Sequence, residues 1–291
     1  MELAGLVVDP IHTWTASTDE AGLTLVKFIS LKLHTGYSLR FLKKAVEANG
    51  CRVNGAVERH ASRRLLPGDR VEFESVQTGA QSDAVILYED DSLVAFDKPT
   101  GVSSDGPRGL VSQVGLKLVH RLDKETTGVL LMAKTESAKH ALEKQFRQRI
   151  VKKTYLALVD GVPVESQGTV KNYLAPIHEY QGQKLMGAVS SSEGLKAETN
   201  WHVLRVGREA ALVECSPRTG RTHQIRVHMK GLGHPILGDY QYCRTPKCSY
   251  RATRCLLHAA QIQLLHPESE RPLQFQAPLP LDFQEAFKRL F

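Results

Sequence analysis

The chain has 291 residues, 42% of them hydrophobic, enough for a buried core and for two domains, or one large domain with an appendage. No apolar run approaches the roughly 20 residues that span a bilayer, and Met1 to Pro10 lacks the basic start and apolar core of a secretion signal. A cytoplasmic protein without membrane association is therefore expected. Thirty-eight Lys and Arg against 31 Asp and Glu give a net charge of +7, which suits a polyanionic partner.

After an N-terminal tail over residues 1–14, residues 15–76 form a self-contained pattern. Leu25, Phe28 and Ile29 make a short helical stripe. Ser38 can cap a second helix that carries Leu42, Ala45 and Val46 inward and stops at Asn49-Gly50. On its outer side Arg40, Lys43, Lys44 and Glu47 fall at i, i+3, i+4 and i+7, a mostly basic face that, taken alone, is equally a solvated helix surface. Arg52-Val53-Asn54-Gly55-Ala56-Val57 reads as a hairpin, and Pro67-Gly68 turns the chain into the alternating strand Arg70–Phe73. The helix pair, the hairpin and the ending Leu66-Pro67-Gly68-Asp69-Arg70-Val71 resemble the S4 RNA-binding module, although Gly22-Leu23-Thr24-Leu25 departs from its usual helix start. The resemblance implies that Arg40, Lys43, Lys44 and Arg52 contact RNA.

Residues 77–84 are polar and aperiodic and are read as a linker. Strands dominate the remaining domain, 85–291: Val85–Tyr88, Leu93–Phe96, Gly128–Ala133, Tyr155–Val159, Thr199–Leu204 and Ala211–Cys215. Between them Ser137 to Ile150 is a helix with Ala138, Leu142, Phe146 and Ile150 on one stripe and Lys139, Lys144, Arg147 and Arg149 elsewhere. A further helix begins near Thr222. The five cysteines are expected as reduced thiols, because the spacing of Cys243, Cys248 and Cys255 fits no common zinc pattern. His223, His228 and His234 lack a carboxylate at ligand spacing, so no metal is expected, and His223 and Gln224 are read as supports for the loop that carries Asp123.

That loop belongs to His120-Arg121-Leu122-Asp123-Lys124-Glu125-Thr126-Thr127-Gly128, which sets an acid beside a cation and runs into the apolar segment Val129 to Ala133. A continuous apolar run of this length reads as a strand covered on both faces, with Asp123 in the loop entering it. In isolation an R-x-D merely caps a turn. The nine residues together resemble the H-R-L-D-x-x-T-S-G signature of the RluA family of RNA pseudouridine synthases, with Thr127 where Ser is usual. Lys98-Pro99-Thr100-Gly101, Lys153 to Gly161, and Thr219 to Arg226 followed by Gly233 to Asp239 resemble three further motifs of that family in the expected order.

The resemblance implies an α+β protein: a mixed, mainly antiparallel β-sheet domain of the pseudouridine synthase fold, behind a small N-terminal S4-like α+β domain. It implies isomerisation of uridine to pseudouridine in RNA without metal or cofactor, by a monomer. One carboxylate can serve this chemistry, whereas a typical glycosidase uses two to activate water. Asp123 is the implied catalytic residue, Arg221 its implied partner with Arg226 as the second candidate, and Tyr155 the ring that stacks on the uracil. Arg121 resembles the residue that fills the gap left by the flipped nucleotide, and His120 is open between a structural and a chemical role. Large-subunit ribosomal RNA is the expected substrate ahead of tRNA. The departures at Val102 to Val119, a short spacer in which Ser103-Ser104-Asp105 replaces the usual continuation, bear on substrate choice. Two rival readings are a catalytically silent RNA-binding or ribosome-assembly factor, and a hydrolase with Glu125 as second acid.

Overall fold

The structure, a computed structural model, describes residues 11–33, 37–74, 84–106, 109–180 and 183–291. The chain divides into two compact units, the smaller built from the N-terminal part with Cys243–Thr245 and Arg251–Arg254, the larger from most of the remainder.

In the smaller unit the strands β1 (His12–Thr15), β2 (Cys51–Val53), β3 (Ala56–Val57) and β4 (Arg70–Phe73) form a sheet of order β1-β4-β2-β3. Helices α1 (Leu25–Leu33) and α2 (Leu39–Glu47) supply Leu25, Phe28, Ile29, Leu42, Ala45 and Val46 to its core, where Val53, Val71 and Phe73 meet them. Ser38 caps α2, its hydroxyl accepting from Phe41 N at 3.2 Å. Two expectations need correction. β1 begins inside the stretch read as a tail, because Trp14 stands edge-on to Phe28 at 6.3 Å and its strand pairs with β4. The unit is also discontinuous in sequence: Arg244 Nε donates to Val57 O at 2.9 Å, and Arg251 pairs with Glu72 at 2.6 Å. Of the stretch read as a linker, only Ala84 lies within the described residues.

The larger unit adds, in chain order, β5 (Val85–Glu89), β6 (Leu93–Lys98), α3 (Leu110–Val114), β7 (Lys117–Leu118), β8 (Thr127–Ala133), α4 (Glu136–Arg147) and β9 (Lys152–Asp160). Then follow β10 (Gln167–Tyr180), β11 (Gln183–Val189), β12 (Leu195–Val206), β13 (Ala210–Pro217), α5 (Gln224–Gly231), β14 (Leu257–Leu265), β15 (Pro272–Gln276) and α6 (Leu281–Leu290). One sheet runs β11-β10-β12-β13-β9-β14-β8-β6-β5, with β15 paired to β14 and β7 to β8. All pairings are antiparallel except β8 with β14.

Strand β8 is buried along its whole length. Val129, Leu131 and Ala133 face a cluster with Ala138 and Leu142 of α4, while Leu130 and Met132 face a second cluster that includes Leu122. Period-two alternation puts alternate side chains on opposite faces, so a strand covered on both must be apolar throughout. Helix α4 is shorter than its apolar stripe suggested. It leaves α geometry after Arg147, and Ile150 is 41% exposed rather than buried.

Gly128 opens β8 where it meets β14 in parallel. Its φ is +108°, and a Cβ there would lie 2.2 Å from the Ala259 carbonyl oxygen. Only glycine permits both the conformation and the approach. Gly128→Ala is therefore expected to cost about 3 kcal/mol or more in urea denaturation. A cost below about 1 kcal/mol would show that the two strands can separate at this point.

Candidate active site

Asp123 lies in the irregular stretch between β7 and β8, one turn before the strand. The turn closes through Thr126 N, which donates to Asp123 O at 3.0 Å. The segment after β6 holds the loop from behind. Lys98, fully buried, donates from Nζ to the carbonyls of Pro99 and Val102 at 2.8 Å and of Lys124 at 3.3 Å. Gly101 N donates to the same Lys124 oxygen at 2.8 Å, and Ser104 Oγ both donates to and accepts from the Leu122 backbone at 3.0 Å. A buried ammonium thus finds carbonyl dipoles from both strand connections and ties one to the other.

His120 has a structural place. Its Nε2 accepts from Leu131 N at 2.9 Å and its ring tilts against Phe146, centroids 5.0 Å apart. Burial pushes its pKa down to about 3, so the ring is neutral and keeps the lone pair the strand amide needs.

Asp123 opens on a cavity of about 500 Å³, the size that admits a nucleotide. Tyr155, Lys153, Arg121, Arg221, His223 and Arg226 are among the residues lining it. Among the described residues, Asp123 is the only acid on its wall. Burial first, and then the charge of Asp123, push the Tyr155 phenol upward, which keeps its hydroxyl protonated beside the carboxylate. Burial also lowers Lys153 to about 8, and its Nζ donates to Thr219 O at 3.2 Å.

The partner of Asp123 is Arg226, not Arg221. Arg226 Nη1 stands 3.3 Å from Asp123 Oδ2. Its other nitrogens are held at 2.7 Å by both oxygens of the buried Asp239 and at 2.6 Å by Gln241 Oε1, and the guanidinium lies 5.0 Å from the Tyr242 ring centroid. Burial works against the Arg226 charge, but the Asp239 carboxylate outweighs it and lifts the guanidinium above its ordinary pKa. Arg221 precedes α5 and directs Nε to Lys196 O at 3.1 Å. Its position in the motif suggested the contact, but the helix starts two residues later than expected, and Arg226 on its first turn takes the inward place.

His223 sits at that helix start with φ 54°. Its Nδ1 meets Tyr242 Oη at 2.9 Å, and Nε2 is 4.0 Å from Asp123 Oδ1. Gln224 supports a different loop from the one expected: it bonds Thr219, Arg221 N, Glu198 O and Thr199, fixing the residues before α5 rather than those around Asp123. Arg121 is ion-paired with Asp105 at 2.8 Å. Glu125 turns away from the cavity to accept from Cys255 N at 3.0 Å, so it does not supply a second acid. All five cysteines are free, and among the described residues no group of three or more His, Cys, Asp or Glu could hold a metal ion.

In the smaller unit Arg40, Lys43 and Lys44 are exposed on one side of α2, with Lys43 and Glu47 a loose 3.9 Å apart. Arg52 is half-buried and spends Nη1 on Gly55 O of its own hairpin at 3.2 Å, apart from the open display of the other three.

A single acid beside a tyrosine, in a cavity of nucleotide size, invites comparison with enzymes that act on bases. Residues 92–231 match the family model described as RNA pseudouridylate synthase. The ribosomal large subunit pseudouridine synthase C of Escherichia coli K12 is 34% identical over 307 residues, 94% of this chain and 95% of that protein. The protein of the same description from Vibrio cholerae is 38% identical over 227 residues, 72% of this chain and 70% of its own. The chain belongs to the RNA pseudouridine synthases of the RluA family. The structure of human RNA pseudouridylate synthase domain containing 4 superposes with a TM-score of 0.59 at 32% identity, over 71% of this chain and 92% of that one. The mixed, mainly antiparallel α+β fold is that of the family, and the activity is isomerisation of uridine in RNA.

Two outcomes test this geometry. Arg226→Gln leaves Asp239 buried without its counter-charge and should cost about 3–5 kcal/mol. Arg221→Gln should cost about 1 kcal/mol or less. Urea midpoints in the reverse order would return the anchoring role to Arg221. The second concerns pH. The unfolded chain takes up a proton on His120 near pH 6.5, while the folded ring resists until about 3. Stability from this group therefore falls on acidification through that window, by up to about 1.4 kcal/mol per unit. His120→Gln, which keeps an acceptor for Leu131 N, should flatten the dependence between pH 6.5 and 4.5. Equal slopes in both proteins would show that the ring titrates alike folded and unfolded.

Proposed function

We propose that the cavity isomerises uridine in large-subunit ribosomal RNA, with Asp123 as the catalytic carboxylate, in a cytoplasmic monomer. The C1′–N1 bond of the uridine breaks, the base turns, and a C1′–C5 bond forms while the C5 proton leaves and N1 gains one. The observation that carries the reading is that Asp123 is the sole acid on the described wall, facing Tyr155 and backed by Arg226. Isomerisation needs one carboxylate and a pocket that retains the detached base, whereas activation of water by a typical glycosidase calls for a second. Tyr155 packs on the flipped uracil, and that stacking offsets part of the unpairing cost, about 1–3 kcal/mol per base. Arg121 exchanges Asp105 for the gap in the RNA, and Arg221 contacts the substrate near the entrance. The names of the bacterial relatives favour ribosomal RNA over tRNA. Residues 15–76 act as an S4-like RNA-binding domain through Arg40, Lys43, Lys44 and Arg52.

The test uses the whole chain and a transcript of large-subunit ribosomal RNA. Asp123→Asn should abolish pseudouridine formation while binding RNA as the wild type does; turnover above the uncatalysed background removes Asp123 from the chemistry. Tyr155→Phe should bind normally and turn over slowly, and Tyr155→Leu should lose affinity as well. If Leu matches Tyr in both assays, the ring is core only. Replacing Arg40, Lys43 and Lys44 by Ala should lower the salt dependence of binding, since fewer counterions are released. An unchanged salt slope moves the RNA elsewhere.

A further inference from the structure

Helix α4 ends in a conformation that its sequence makes unfavourable. Arg149 has φ 60°, in the left-handed region where a Cβ is crowded and where glycine commonly closes a helix. The turn is nevertheless well formed, with Arg149 N donating to Phe146 O at 3.1 Å and Ile150 N to Gln145 O at 3.0 Å. Gln145 then fixes this end to β14, donating to Leu265 O at 2.8 Å and accepting from Leu265 N at 2.9 Å. The outcome is that Arg147 and Arg149 are carried on a rigid part of the cavity wall, with their side chains exposed.

A second rigid segment of the same wall carries Arg218. Its backbone N donates to Glu198 O at 2.9 Å, and the neighbouring Thr219 is held by Gln224 at 2.6 Å. The other cations of the wall are engaged: Arg121 with Asp105, Arg226 with Asp239, Lys153 with the Thr219 carbonyl and Arg221 with the Lys196 carbonyl. Among the described residues no carboxylate pairs with Arg147, Arg149 or Arg218. The negative end of α4 explains a cation in its last turn, Arg147. It explains neither an arginine in a left-handed position beyond the helix nor one on a separate loop.

We infer that Arg147, Arg149 and Arg218 form a clamp for RNA phosphates at the entrance of the cavity, gripping the backbone beside the nucleotide that enters. The inference rests on the reading of the cavity as a uridine site and assigns its entrance to three residues. Guanidinium groups suit the task because their planar fork matches phosphate oxygens, and backbone strain retained at a rigid wall is characteristic of positions that serve a ligand.

The experiment measures binding of a large-subunit ribosomal RNA transcript against salt, and pseudouridine formation, for wild type, for Arg147→Ala/Arg149→Ala/Arg218→Ala, and for the charge-matched control Lys184→Ala/Lys247→Ala/Lys288→Ala. The arginine triple should lower the slope of log affinity against log salt by about 2, at roughly 0.7 to 0.9 per phosphate. Its KM should rise about tenfold or more while kcat at saturating RNA stays within about twofold. An unchanged slope, or an equal loss in the lysine control, overturns the clamp. Arg149→Gly supplies a second arm: thermal stability should rise while RNA affinity falls, and a fall in stability would mean that Arg149 serves packing instead. If the wild type makes no pseudouridine on this RNA, the functional reading fails separately, and the binding slopes still decide the clamp.

Discussion

A single guanidinium organises the cavity. Arg226 is buried, and a buried cation is tolerated only when its donors are met and its charge is balanced. Asp239 does both through a two-point contact, and Gln241 takes a further N–H. What remains is one edge of the fork, and Asp123 stands on it. The acid therefore faces an arginine whose own position is fixed by a different carboxylate, so it need not hold its partner in place. Tyr242 covers the plane of the guanidinium and at the same time engages His223, which joins the start of α5 to the same assembly.

The loop carrying Asp123 is restrained from the other side by Lys98. An ammonium shared among carbonyls of two strand connections leaves those connections little freedom to move apart. His120 adds a second restraint through β8 itself, and burial keeps that ring uncharged. Rigidity of this kind matters for proton transfer and bond making, where displacement of the reacting group by a fraction of an ångström weakens the effect of proximity.

Much of this was readable in the chain. The Leu25/Phe28/Ile29 and Leu42/Ala45/Val46 stripes and the unbroken apolar run of β8 each mapped onto one element, because their periods are unambiguous. Asp123 and Tyr155 were marked by their motifs and do share the cavity wall. The pairing of Arg221 with Asp123 failed because a motif fixes order along the chain, while the left-handed residue His223 shifts the start of α5 and with it the residue that turns inward. Strands β10, β11, β14 and β15 went unread for a different reason. Gln167–Tyr180 and Gln183–Val189 are a hairpin held by backbone pairing with little apolar alternation, and Leu257–Leu265, besides its neighbour β15, is placed by β8 and β9, which lie about a hundred residues earlier in sequence. Asp239 and Gln241 carried no local signal, since their meaning depends on Arg226.

The smaller unit includes residues from near position 250, and that arrangement sets an order of events during synthesis. Its helices and strands are complete once Phe73 has emerged, but Glu58 and Glu72 are then acids on a half-finished surface. Arg63 and Arg70 are already beside them, but their second cations Arg244 and Arg251 are made more than 170 residues later, as are the Val57 carbonyl's donor and the Ala252 oxygen that receives Asn49. Domains are commonly pictured as closing one after another as they leave the ribosome. Here the first to appear is among the last to be finished, and a nascent chain stalled before residue 244 would hold an N-terminal unit with its native topology but without part of its ionic lining.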